Sequence, residues 1–268
     1  MKEIHKRIIS GSVYVLLLIG GIIFHQFTFL LLFTVLAFIG LNEFQKLIQF
    51  KGFIPPVVMG VILFSFHFFN IPNYVVWTIL ASTLIVSVLL LKDLLFIRII
   101  PMFEKKKFLV TIFYIITGFL FITLTPFDQN NNYTPNILLG MLILIWVNDS
   151  FAYLSGRTFG KHKLYSKISP NKTIEGFIGG FIATVLAALI IQNLFNSISL
   201  MNWIIIAVIT SIFGSLGDLI QSKFKRQAGV KDSGTIMPGH GGVFDRLDSL
   251  IYAAPFVYLF LQITYHVS

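Results

Sequence analysis

Trp203–Ile220 reads WIIIAVITSIFGSLGDLI, and its one ionisable group is Asp218. Hydrocarbon about 30 Å thick takes roughly 17–25 apolar residues of helix to cross, so this stretch reads as a membrane span with an acid near one end. Comparable runs lie near 8–24, 27–46, 53–71, 74–91, 108–125, 137–154, 176–195 and 247–265, which makes nine in all. Composition agrees: 56% of the 268 residues are hydrophobic and 12% are charged, against about 25% charged in soluble domains. The expected fold class is therefore all-α, a polytopic integral membrane protein of about nine transmembrane helices.

Charge sets the orientation. Threading the nine spans with the N-terminus inside puts all 20 Lys and Arg on one side, and basic residues are retained on the cytoplasmic side. The expected N-terminus is cytoplasmic. The formal charge of +9 is then explained by topology, with no need for a nucleic-acid partner. Lys2, Lys6 and Arg7 before the first apolar run resemble a signal peptide. Without a small-residue cleavage site after it, the run reads as an uncleaved helix. Two regions are expected: residues 1–107, with about four spans and a basic interfacial segment at 92–107, and residues 108–268, with about five spans and two polar cytoplasmic loops. The absence of Cys removes disulfides, thiolate nucleophiles and Cys-based metal sites.

Those two loops mix acids, bases, Gly and hydroxyls. The first is WVNDSFAYLSGRTFGKHKLYSKISPNKTIEG, from Trp146 to Gly176; the second is SLGDLIQSKFKRQAGVKDSGTIMPGHGGVFDRLDS, from Ser215 to Ser249. On a helix, Ser215, Asp218, Ser222 and Lys225 share one face, a stripe able to hold a cation and the phosphate it neutralises. Asp245 and Asp248 open the last span, where either can cap the helix. Before them, Pro238-Gly239-His240-Gly241-Gly242 offers backbone N–H groups to an oxyanion and an imidazole beside it. Mg²⁺ prefers carboxylate oxygens, and Asp218 and Asp245 suit it. Gly156-Arg157-Thr158-Phe159-Gly160-Lys161 falls short of a phosphate-binding P-loop, with no preceding strand.

Ser222-x-x-Lys225-Arg226, Lys231-Asp232-x-Gly234 and Pro238-x-His240-Gly241-Gly242-x-x-Asp245-Arg246-x-Asp248 together resemble the signature of phosphatidate cytidylyltransferases, also called CDP-diglyceride synthases. In the first loop, Asn148-Asp149, Gly156-Arg157, Gly160-Lys161 and Ser169-Pro170-x-Lys172-Thr173-x-Glu175-Gly176 resemble that family's other polar segment. Met237 and Ser150-Phe151 depart from its usual residues without removing a charge. The resemblance implies that CTP and phosphatidate become CDP-diacylglycerol and pyrophosphate with Mg²⁺. The two loops put the expected site at the cytoplasmic face, and a short chain without an organelle presequence is expected in a cytoplasmic membrane. The resemblance implies Asp218 and Asp245 as metal ligands and Lys172, Lys225, Arg226, Lys231 and Arg246 as phosphate contacts. Ser222 is expected to contact substrate, with His240, Gly241 and Gly242 lining the phosphate pocket. Asp149, Glu175, Asp232 and Asp248 are expected as supporting partners or extra ligands. It also suggests a homodimer. The alternatives are a CTP-dependent polyprenol or phytol kinase, which moves the γ-phosphate, and a transporter, which would place its polar groups near the membrane midplane.

Overall fold

Where water is absent each backbone N–H and C=O must be satisfied within its own segment, so apolar runs fold as helices. The computed structural model describes residues 2–128 and 130–267; the side chains of Lys2, Lys6 and Arg7, part of the basic set above, lie outside that description. Among the described residues there are nine helices: α1 (Lys2–Phe24), α2 (Gln26–Leu47), α3 (Ile54–Phe68), α4 (Asn73–Phe96), α5 (Glu104–Leu124), α6 (Asn136–Phe159), α7 (Ile174–Phe195), α8 (Leu200–Gln227) and α9 (Phe244–Val267). Seven are long and apolar enough to cross a membrane, and the chain is an integral membrane protein. The apolar part of α1, Ile9–Phe24, and the whole of α3 are shorter than that. The third run was expected to reach residue 71. It stops at Phe68 because Phe69 turns extended ahead of Asn70 and Pro72.

The all-α expectation needs one correction. Residues 163–173, expected as loop, form an antiparallel hairpin of β1 (Lys163–Tyr165) and β2 (Ser169–Thr173), with Lys163 opposite Thr173 and Tyr165 opposite Ser169. Pro170 is tolerated because a two-stranded hairpin is all edge. The basic segment 92–107 also resolves into parts: α4 continues to Phe96, residues 97–103 form a non-helical link, and α5 begins at Glu104.

Large apolar side chains on the outer helices, such as Leu16, Leu31 and Ile190, point outward, while α5 and α9 form the buried centre. Phe44, Tyr114, Phe224, Phe244 and Tyr252, from α2, α5, α8 and α9, form one cluster, with Tyr114 stacked on Phe224 and the other pairs edge-to-face. That cluster joins the N-terminal helices to the C-terminal ones directly behind the polar end.

Two glycines let α5 and α8 approach α9 closely. Pro255 within α9 has no N–H for the carbonyl of Ile251, and α5 covers that carbonyl with Gly118. A Cβ on Gly118 would lie 3.0 Å from the Ile251 oxygen and 2.6 Å from its Cγ2. At Gly217, α8 meets α9 so closely that a Cβ would lie 2.6 Å from Tyr252 Cβ and 2.8 Å from the Asp248 carbonyl oxygen. Backbone cannot step aside cheaply, so Gly217→Ala is expected to cost about 1–3 kcal/mol. Gly20, with nothing within 4 Å of its would-be Cβ, tolerates the same change. Thermal unfolding in detergent should lower the midpoint of the first variant alone; equal midpoints would remove the close-approach argument.

Candidate active site

The C-terminal part of α6, the N-terminal turn of α7, α8 and the hairpin line a cavity of about 570 Å³, into which Asp149, Arg157, Asn171, Lys172, Ser215 and Asp218 face. Its walls exist because α6 and α7 touch backbone to backbone. A Cβ on Gly176 would come within 2.7 Å of the Ala152 carbonyl oxygen, and one on Gly180 within 2.8 Å of that of Asn148. Gly156 faces Thr173 and Gly176 in the same way. The Gly156–Lys161 stretch is thus the C-terminal end of α6 packed on α7, and its glycines serve helix crossing. Thr173 caps α7 by accepting from Gly176 N at 3.1 Å. Glu175 accepts from the His162 backbone and pairs with its Nδ1 at 2.6 Å, which ties the hairpin to α7.

Lys172 projects from β2 onto Asp218, with Nζ 2.5 Å from Oδ2. Ser222 donates to the other oxygen, Oδ1, at 3.1 Å. Burial works against the Lys172 charge, yet Asp218, backed by Asp149 and Asp248, holds its ammonium above the usual lysine value. Asn148, adjoining Asp149, is buried. It accepts from Ser211 at 2.6 Å and donates to Ser215 at 3.3 Å, so it cross-links α6 and α8.

A second, smaller cavity of about 270 Å³ lies between α1, α6 and α9, and Asp149, His240, Asp245, Arg246 and Asp248 face it. Asp149 is common to both cavities. Asp245 Oδ1 accepts from Lys225 Nζ at 2.8 Å and Gln221 Nε2 at 3.0 Å; Oδ2 accepts from the backbone N–H groups of Ser233 at 2.8 Å and Gly242 at 2.9 Å. Those four donors fill the four lone-pair positions of a carboxylate. Arg246 donates through Nε and Nη2 to the His240 carbonyl and clamps the glycine turn. Asp248 is buried and accepts from its neighbour, Ser249 N, at 2.7 Å.

The glycine turn differs from expectation. The N–H groups of His240 and Gly241 donate to the Met237 carbonyl and that of Gly242 to Asp245, so the turn is closed on itself. Gly241, at φ +91°, keeps the left-handed conformation that glycine allows. His240 is oriented instead by α1. Ser10 Oγ is 2.9 Å from the Pro238 carbonyl oxygen and 2.8 Å from His240 Nδ1.

Of the remaining expected residues, Lys231 and Asp232 are exposed in the loop after α8. Arg226 points away from both cavities, donating to the carbonyls of Ile168 and Val230. Neither cavity brings Asp218 and Asp245 together. Among the described residues, no group of three or more His, Cys, Asp or Glu is spaced to hold a metal ion. By donor chemistry the carboxylates fit a hard divalent cation. Asp218 lines the larger cavity and fits once Lys172 gives up Oδ2, and Asp245 fits once Lys225 gives up Oδ1.

Glu43 went unread in the sequence. It is buried on α2 and accepts from Ser233 Oγ at 2.9 Å, Val243 N at 3.2 Å and Phe244 N at 2.8 Å. It therefore supplies the cap of α9 that Asp245 or Asp248 was expected to provide. A Cβ on Gly234 or on Gly242 would fall 2.3 Å from its carboxylate oxygens, which explains glycine at both positions. The signal was present: an acid inside an apolar run costs about 2.5–3.5 kcal/mol at a helix centre, and that argument singles out Glu43 as it does Asp218. Glu43→Ala strands three buried donors at about 1–3 kcal/mol each. Limited proteolysis should then cut within residues 228–243 and catalysis should fall, whereas an intact loop would show that Glu43 does not shape it.

The model of the cytidylyltransferase family matches residues 5–264. A protein of Staphylococcus saprophyticus subsp. saprophyticus named phosphatidate cytidylyltransferase is 36% identical over 252 residues, covering 91% of this chain and 92% of the relative. One of the same name from Staphylococcus epidermidis is 33% identical over 260 residues, 92% of each chain. Another from Staphylococcus aureus is 43% identical over 155 residues, 57% of each. With nearly its whole length aligned to that model and to such relatives, this chain belongs to the cytidylyltransferase family.

Proposed function

We propose that this protein transfers CMP from CTP to phosphatidate, giving CDP-diacylglycerol and pyrophosphate. The observation that carries the reading is the pairing of Lys172 with Asp218 and of Lys225 with Asp245 beside two adjoining cavities. Each cation suited to phosphate is held by an acid suited to a metal. The site is ready for a polyanion yet carries little uncompensated charge without one.

In the reaction a phosphatidate oxygen forms a bond to the α-phosphorus of CTP while the bond from that phosphorus to the β-bridging oxygen breaks, and pyrophosphate leaves with the electron pair. The attacking phosphate needs no base to remove a proton, and no covalent protein intermediate is required. Lys172 and Lys225 turn from their carboxylates to phosphate oxygens, lowering the repulsion between two anions. Asp218 and Asp245 would then hold Mg²⁺, which supplies charge neutralisation at the transferred and departing phosphates. Ser222 keeps Asp218 in position, and Arg246 holds His240 and the glycine turn at the rim. The lipid reaches this site from the bilayer and the nucleotide from the cytosol if the nine helices thread with the N-terminus and both polar regions inside, which is the topology we propose. The bacterial relatives favour a cytoplasmic membrane.

The test uses purified protein in vesicles with Mg²⁺, phosphatidate and CTP labelled at the α- or the γ-phosphorus. The α-label should enter lipid and the γ-label should leave as pyrophosphate. A γ-labelled lipid would make the protein a kinase, and uptake without labelled lipid would make it a transporter. Asp218→Asn should abolish turnover with the fold retained, and Lys225→Ala should lower it about 10²–10³-fold, as for removal of one preorganised charge-stabilising donor. Full activity in both variants would sink the assignment.

A further inference from the structure

Arg226 follows Lys225 on α8 but faces a different cavity, of about 910 Å³, walled by the α4–α5 link, the turn of the hairpin and the end of α8. Three of its charged residues are Arg98, Lys167 and Arg226, and no carboxylate lines it. The other wall is apolar and open. Leu95, Phe96 and Ile99 are 52%, 79% and 65% exposed, at the end of α4 and in the link after it, where a bilayer would cover them. The walls are already fixed. Lys223 spends its ammonium on the carbonyls of Asp93, Leu94 and Ile97, the last by a very short bond. Gln227 both donates to Ile100 O at 2.6 Å and accepts from Ile100 N at 3.1 Å. Tyr165 donates to Leu94 O at 2.8 Å, and Arg226 is held by the carbonyls of Ile168 and Val230.

A cavity with cations on one wall and exposed hydrocarbon on the other matches an amphiphile with an anionic head. Acyl chains gain from lying along the exposed aliphatic Leu95 and Ile99, which offer a polar ribose and triphosphate nothing. We propose that this groove binds an anionic phospholipid that does not react. The phosphate would lie among Arg98, Lys167 and Arg226 and the acyl chains along Leu95, Phe96 and Ile99. Basic pockets between spans on the cytoplasmic side hold lipid headgroups in this way, and a rigid pocket loses little on ordering. The placement rests on the inside orientation proposed above. The hairpin separates the two sites: its turn supplies Lys167 and Ile168 to the groove, and its second strand supplies Lys172 to Asp218.

The experiment measures retention of phosphatidylglycerol and of phosphatidylcholine by the full-length protein in detergent, using native mass spectrometry. It compares wild type with the double variant Arg98→Ala, Lys167→Ala. Wild type should keep phosphatidylglycerol about tenfold over phosphatidylcholine, and the double variant should lose most of that preference. Transfer of CMP in phosphatidylcholine vesicles should stay within about twofold of wild type, since neither residue lines the catalytic cavities, so the lipid site can fail while the enzymatic reading stands. Equal retention of the two lipids by wild type, or an undiminished preference in the variant, would overturn the proposal. So would a change of oligomeric state with lipid preference intact, which would assign the groove to a second copy of the chain. If the double variant does not fold, Lys167→Glu on the exposed turn gives the same reading by reversing one charge.

Discussion

The contact of α8 with α9 at Gly217 is the constraint around which the polar end of the molecule is arranged. Only a residue without a side chain lets the two backbones come this near. That nearness puts Gln221 and Lys225 of one helix against Asp245 of the other, with Asp218 one turn away facing Lys172. Asp248 is buried at the same crossing. A wider crossing would expose these acids to lipid or water and dissolve the pairs.

Charge compensation follows the same rule across the protein. Burying an ion without a partner is costly, and three further described acids have one. Asp93 is met by Lys106 at 2.5 Å, Glu43 by two backbone N–H groups and a hydroxyl, and Glu175 by His162. A buried pair adds little net stability, because desolvation offsets attraction. What it fixes is geometry. The Lys172–Asp218 and Lys225–Asp245 pairs hold four groups in register without a ligand, in a form that a polyanion and a cation can open together.

The helices were legible because hydrocarbon thickness imposes a length. The limits of that reading are local. Phe69–Pro72 ended α3 early, and the hairpin at 163–173 was hidden because Lys, Ser and Asn in short strands carry no apolar alternation. The residues around Asp218 and Asp245 were legible from the cost of acids in apolar runs. Their partners were not. Periodicity says which face of α8 Lys225 and Arg226 occupy only to within a turn, and the two diverge into different cavities. Ser10 and Glu43 lay in runs that read as plain hydrophobic segments, and their roles arise only from tertiary packing. The glycines of the turn looked like oxyanion donors but serve close approach to Glu43 and Asp245.

Ser10 on α1 meets His240, and Glu43 on α2 meets Ser233, at separations of 230 and 190 residues along the chain. During synthesis at about 5–20 residues per second, these early helices leave the ribosome on the order of 10–40 s before the segment that completes them. For that interval Glu43 is a carboxylate at the end of an apolar helix with no acceptor role to fill. The first two helices must therefore wait near the insertion machinery, or keep the acid at the interface, until the last helix arrives.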